Sequence, residues 1–131
     1  MYLIDSSAWI EYLRPDGSKK AKARVSEVLR KDDAATCGII IVEVLRGAKN
    51  EKDYGILKDS MLALPMIAID EDVIRRAADW GFALGRKGRT VPTTDLFIAS
   101  CAYERAAVLH LDSDFQTISS VGDFKEEKIK R

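Results

Sequence analysis

Tyr2-Leu3-Ile4-Asp5-Ser6-Ser7-Ala8-Trp9-Ile10 decides how the rest of the chain is read, because it carries a carboxylate out of a short apolar run straight into a helix start. Three apolar residues followed by two good capping residues predict a short buried strand and then a helix. Asp5 would stand at the carboxyl end of that strand, the edge of an open α/β sheet where ligands bind. Taken alone, Asp5 can equally be a helix cap or a ligand. The choice depends on whether other carboxylates arrive at the same edge.

Working outward, Ala8 to Leu13 predicts a short helix stopped by Arg14-Pro15-Asp16-Gly17. Ser18 opens a second helix to about Lys31, with Ala21, Val25, Val28 and Leu29 on one face. Its basic face, with Lys19, Lys20, Lys22, Arg24 and Arg30, is read as solvated. Ala34 to Cys37 is a short strand. Ile39-Ile40-Ile41-Val42 fits a strand or a helix by periodicity, but the spacing Ile41, Leu45, Ala48 favours a helix from Gly38 to about Ala48. Glu43 then lies on its interior, where a carboxylate needs a partner or a metal.

Lys49 to Lys52 reads as a turn, Tyr54 to Leu64 as a helix with Tyr54, Leu57, Met61 and Leu64 inward, and Met66 to Ile69 as a strand. Asp70 caps a helix over Glu71 to Gly85, followed by the basic loop Gly85-Arg86-Lys87-Gly88-Arg89. Thr93 or Thr94 caps an interior helix with Asp95 in its first turn, a position where acids also complement the helix dipole. Val108 to Leu111 is a further buried strand, handing off to Asp112-Ser113-Asp114-Phe115. The remainder, through Gly122 to the basic tail Lys125 to Arg131, is weakly patterned.

The 131 residues suit a single domain, 1–131, with a real core. Basic and acidic side chains balance at 21 each, so net charge selects no partner. No apolar run reaches the roughly 20 residues of a membrane span and no signal peptide is evident, so a cytoplasmic location is expected. With Cys37 and Cys101 far apart and His110 alone, a zinc site is poorly supported and both cysteines are read as reduced, buried thiols.

Alternating short strands and helices predict an α/β fold with a mainly parallel sheet. Asp5 and Asp112 leave their strands at one edge, and Glu43 and Asp95 sit on helices apolar enough to pack there. Such convergence without counter-charge is repulsive unless a divalent cation is bound, and oxygen-only ligation suits Mg²⁺ or Mn²⁺. The chemistry natural to that site is metal-assisted phosphodiester hydrolysis. Asp5 is therefore read as a ligand, with Ser6 and Ser7 left to cap the helix.

The segments Ile4 to Ile10, Val42-Glu43-Val44-Leu45-Arg46-Gly47, Thr94-Asp95-Leu96-Phe97-Ile98-Ala99 and Leu109 to Phe115 together resemble the PIN-domain ribonucleases, specifically the VapC-type toxins of toxin-antitoxin pairs. Each segment is weak alone; the set, in order and spacing, is specific. The resemblance implies a three-layer α/β/α sandwich around a mainly parallel sheet, an acidic Mg²⁺ or Mn²⁺ site, and cleavage of single-stranded RNA. Asp5, Glu43 and Asp95 match its three most regular acids. Alignment on Phe115 favours Asp112 as the fourth, with Asp114 a second candidate acting through water. The resemblance implies that Asp5, Asp95 and Asp112 ligate the metal, that Glu43 ligates it or orients the attacking water, and that Ser7 and Thr94 support the ligands. It also implies a homodimer inhibited by a small VapB-type antitoxin. His110 stands where many members have Thr or Ser and is read as a hydrogen-bonded structural residue. Arg46, Lys87 and Arg89 are assigned to substrate phosphates from charge and sequence proximity. Two other readings remain: a phosphatase or phosphotransfer domain with Asp5 as nucleophile, against which stands Ser7 where a second acid is usual, and a non-catalytic PIN-like binding module.

Overall fold

The computed structural model describes residues 1–130. Chain order is β1 (Tyr2–Ile4), α1 (Ser6–Leu13), α2 (Lys19–Arg30), β2 (Ala34–Ala35), α3 (Gly38–Leu45), α4 (Glu51–Leu62), α5 (Glu71–Arg86), α6 (Thr93–Ala102), β3 (Ala107–His110), α7 (Asp114–Ser119) and β4 (Lys125–Lys128). Among the described residues the strands form one parallel sheet of order β2-β1-β3-β4. Tyr2 pairs with Ala34 on one side and Ala107 on the other.

That order fixes where a ligand can bind. From β1 the chain moves one way to β2, then crosses back past β1 to β3, so the direction reverses between the central strands. Right-handed crossovers running in opposite directions put their helices on opposite faces, which gives the three-layer sandwich. A crevice opens where the order reverses, outside the carboxyl ends of β1 and β3. Both strands are short and buried: Leu3, Ile4, Val108 and Leu109 are fully enclosed, with Ile40, Ile98, Phe115 and Ile118 packed over them in one core. Trp9 and Trp80 belong to this core, and Cys37 and Cys101 are free, buried thiols.

Several elements depart from the sequence reading. Asn50 starts α4 at Glu51, three residues early, by accepting the Asp53 N–H at 2.8 Å. Tyr54 lies on its exposed side, and of the expected inner face only Met61 is fully buried. Met66 to Ile69 is not a strand. Thr36 and Met66 form a single parallel bridge, made by the Thr36 N–H to Pro65 O at 2.9 Å and the Ile67 N–H to Thr36 O at 2.8 Å, and among the described residues no further backbone pair extends it. Neither Thr93 nor Thr94 caps α6: Pro92 holds the cap position, its fixed φ of −58° leading into the helix, and no side chain closes the end.

The weakly patterned tail is in fact ordered. After the short helix α7, Lys125–Lys128 pairs parallel with Ala107–His110 as the edge strand β4; Arg131 lies outside the described residues. The strand is anchored by charge. Glu127 accepts two hydrogen bonds from Arg24 of α2, at 2.7 and 3.0 Å, and the same guanidinium lies 4.7 Å from the centre of the Tyr2 ring. Arg24 thus leaves the otherwise solvated basic face of α2 to clamp the sheet edge.

Candidate metal centre

Four segments deliver carboxylates to the crevice. Asp5 follows β1, Glu43 lies on the second turn of α3, Asp95 lies in the first turn of α6, and Asp112 and Asp114 occupy the passage from β3 into α7. Asp95, Asp112 and Asp114 each bring an oxygen within 4.8 Å of the others.

Asp5 takes the capping role that the sequence reading left to Ser6 and Ser7, and does so with only one of its two oxygens. Its backbone is extended (φ −67°, ψ 156°) while Ser6 and Ser7 are already helical, so Asp5, and not the serines, holds the cap position of α1. Oδ2 accepts the Ser7 N–H at 3.0 Å and the Ser7 hydroxyl at 2.6 Å. Oδ1 is left buried and without a partner. The Ser7 hydroxyl also accepts the backbone N–H of Leu111 at 3.1 Å, tying the β1–α1 corner to the end of β3.

His110 is completely buried and both ring nitrogens are engaged. Nδ1 accepts the Asp112 N–H at 3.1 Å, which leaves the ring proton on Nε2 to be donated to Glu126 Oε1 at 2.7 Å. The ring therefore positions the Asp112 backbone and has no free nitrogen with which to activate water. Asp112 Oδ1 accepts the Asp114 N–H at 2.9 Å, setting the turn into α7.

The electrostatics are those of several carboxylates held close together and partly out of water. Burial, then the charges of Asp5, Asp112, Asp114 and Glu43, push Asp95 up to about 8. Burial also raises Asp5, against the pull of the Ser7 hydrogen bonds. Glu43 is raised by burial and by the Asp5 charge, and drawn partly back by the Ser6 hydroxyl and the Arg46 charge. Burial and the neighbouring Asp112 charge raise Asp114.

A hard divalent cation fits this set. Among the described residues, the buried side-chain polar atoms without a partner are Asp5 Oδ1, Glu43 Oε1, Asp95 Oδ2 and Trp9 Nε1. Three of them are carboxylate oxygens of this cluster. Leaving such acceptors dry and unpaired is costly, and coordination by a metal that prefers oxygen removes the cost.

Residues 2–120 match the PIN domain. The chain belongs to the PIN-domain family. It is similar to Ribonuclease VapC11 of Mycobacterium tuberculosis, with 35% identity over 126 residues, covering 92% of this chain and 93% of that one. Among solved structures it resembles DNA-bound VapBC from Salmonella typhimurium (TM-score 0.78, 17% identity, 97% and 96% of the two chains). It also resembles VapBC-5 from Mycobacterium tuberculosis, a member of the VapBC family of toxin-antitoxin systems (TM-score 0.67, 23% identity, 98% and 97%). At those identities the structural likeness is one of fold.

Within this PIN domain, the structure brings together the five acids that the sequence singled out, and it attaches Ser7 to them. It does not attach Thr94, which is exposed at the start of α6 and whose hydroxyl makes no hydrogen bond among the described residues. The family resemblance assigned that hydroxyl to supporting the ligands. Arg46 is exposed and close enough to Glu43 to affect its ionisation. Lys87 and Arg89 are exposed on the loop into α6. That loop is fixed: Gly88, at φ +72°, lets the Arg89 N–H reach Leu84 O at 2.9 Å and its own N–H reach Gly85 O at 3.0 Å, a Schellman closure. Sequence reasoning missed Glu126, whose role follows only from the pairing of β4 with β3.

Proposed function

We propose that this PIN domain is a Mg²⁺- or Mn²⁺-dependent endoribonuclease, the toxin of a VapBC-type pair, hydrolysing phosphodiester bonds in single-stranded RNA. The observation that carries the reading is the trio of buried, unpartnered carboxylate oxygens on Asp5, Glu43 and Asp95 beside Asp112 and Asp114. Membership of the family and the 35% identity to a protein named a ribonuclease support the activity. The fold shared with VapBC assemblies supports a small VapB-type antitoxin as partner.

In this reading Asp5, Asp95 and Asp112 hold the ion, Asp114 assists through water, and Glu43 either joins them or orients the attacking water. A divalent ion held by these acids would supply a water acidified enough to attack and charge stabilisation for the leaving oxygen. Ser7 holds Asp5 Oδ2 so that Oδ1 stays directed into the cluster, and His110 holds the backbone of Asp112. Arg46, Lys87 and Arg89 bind substrate phosphates. A homodimer is part of the proposal, and exposed Ile74 and Phe82 on α5 offer it an apolar surface.

The test is cleavage of a single-stranded RNA pool by the purified protein with Mg²⁺ or Mn²⁺, alongside EDTA and Asp95→Asn controls. Loss of cleavage in both controls is expected. Cleavage that persists in EDTA and in the variant would remove the acidic cluster from the reaction.

A further inference from the structure

Beside the acidic crevice, on the side of β4, lies a cleft of about 570 Å³ lined by Leu111, Gln116, Lys128, Ile129 and Lys130. It begins one residue from Asp112. The pairing explains how a polar tail comes to form it: Lys128 is the register partner of His110, and the Ile129 N–H donates to His110 O at 2.7 Å, so the end of β4 is held against the end of β3. Alternation along the extended chain turns Ile129 into the core while Lys128 and Lys130 face solvent. Neither ammonium takes part in an ion pair among the described residues. Arg24, by contrast, is bound to Glu127 and Glu27, and Lys22 to the Tyr12 carbonyl at 2.8 Å.

We propose that this cleft is a nucleotide subsite of the nuclease, in which Lys128 and Lys130 bind phosphates of a single-stranded RNA continuing past the acidic cluster. The inference rests on the ribonuclease reading and extends it to a surface on β4. Charge complementarity and continuity with the metal centre argue for it. An anionic strand reaching Asp112 would meet free ammonium groups at the cleft rim, with the Gln116 amide beside them able to hydrogen-bond a base or ribose. Arg46, close enough to Glu43 to affect its ionisation, adds a further cation at the acids.

Binding is separated from cleavage by measuring fluorescent single-stranded RNA against the Asp95→Asn protein without metal, over a range of salt, in that background and with Lys128→Gln/Lys130→Gln added. Each lost phosphate contact on a single strand lowers the salt slope by about 0.7, so the double substitution is expected to reduce it by about 1.4 and to weaken binding about tenfold at low salt. Lys128→Arg/Lys130→Arg should restore both. In the otherwise native enzyme the Gln pair should raise KM with little change in kcat. Lys19→Gln/Lys20→Gln, which removes the same charge from exposed positions on α2, should leave the slope unchanged. An unchanged slope for the β4 pair, or an equal loss for the α2 pair, overturns the subsite while leaving the nuclease reading intact. RNA that is neither bound nor cut by the native protein overturns both.

Discussion

Ser7 and Leu111, 104 residues apart, are joined by a 3.1 Å hydrogen bond from the Leu111 N–H to the Ser7 hydroxyl, and the same hydroxyl donates to Asp5 Oδ2 at 2.6 Å. One oxygen atom thus locks the two strand ends that carry Asp5 and Asp112. Ser7→Ala strands the Leu111 N–H and frees Asp5 to rotate. A stability loss of about 1–3 kcal/mol is expected by denaturant titration, with weaker Mn²⁺ binding by calorimetry. Unchanged metal affinity would show that Asp5 is held by its cap bond alone.

The pH dependence follows from Asp95. Its folded pKa, about 8, lies above the ordinary value of 3.8. The folded state therefore holds a proton that the unfolded chain has released, and stability falls as pH rises from about 4 to about 8. The shift sets an upper bound on the order of 6 kcal/mol, and the raised Asp5, Glu43 and Asp114 act in the same direction. Glu127, lowered chiefly by its hydrogen bond to Arg24, opposes the trend and stabilises above the usual carboxylate range. The metal-free protein should melt at lower temperature at pH 8 than at pH 5.5, and Asp95→Asn should flatten that difference without lowering the Tm at pH 8.

Metal affinity should carry the same signature with reversed sense. Binding displaces the Asp95 proton, so apparent affinity for Mn²⁺ should rise steadily between pH 5.5 and pH 8, with proton release visible as a buffer-dependent calorimetric enthalpy. An affinity flat over that interval would mean that Asp95 is not displaced by the ion.

Glu126 and His110 form a separate test. Glu126→Leu leaves a buried Nε2–H unpaired and should cost about 1–3 kcal/mol, whereas Glu126→Gln keeps an acceptor oxygen and should cost less. Equal losses in the two variants would mean that packing, not the hydrogen bond, holds the ring.

Gly122 tests the core beneath α5. A Cβ there would stand 2.7 Å from two carbons of the Trp80 ring, itself stacked on Phe124 with ring centres 5.6 Å apart. Gly122→Ala should lower stability by about 1–3 kcal/mol through overpacking, measured by thermal melting, without altering metal affinity.

What could be read from the sequence follows how local each signal is. Asp70 capping α5 and Ser18 capping α2 lie within one turn of their targets, and both are as expected. The acids were legible because Asp5 and Asp112 interrupt apolar runs next to a strand end, and Glu43 sits between apolar helical neighbours. β4 was not legible. Lys-Glu-Glu-Lys has no apolar alternation; its strand state comes from pairing with β3 and from Arg24, whose match to Glu127 spans 103 residues. The division of labour between the two oxygens of Asp5 was hidden for a related reason, since residue types fix neither which residue first turns helical nor where each oxygen points.

The sheet order has a consequence in time as well as in space. β1 pairs with β3 across more than a hundred residues, and the acids stand at 5, 43, 95 and 112–114, so no fragment that stops short of β3 contains the crevice. During synthesis the cluster cannot assemble until Asp112 and Asp114 have left the ribosome, and β4, which supplies the partner of His110, follows them. A chain that folds in this order keeps its acids apart until β3 can pair with β1.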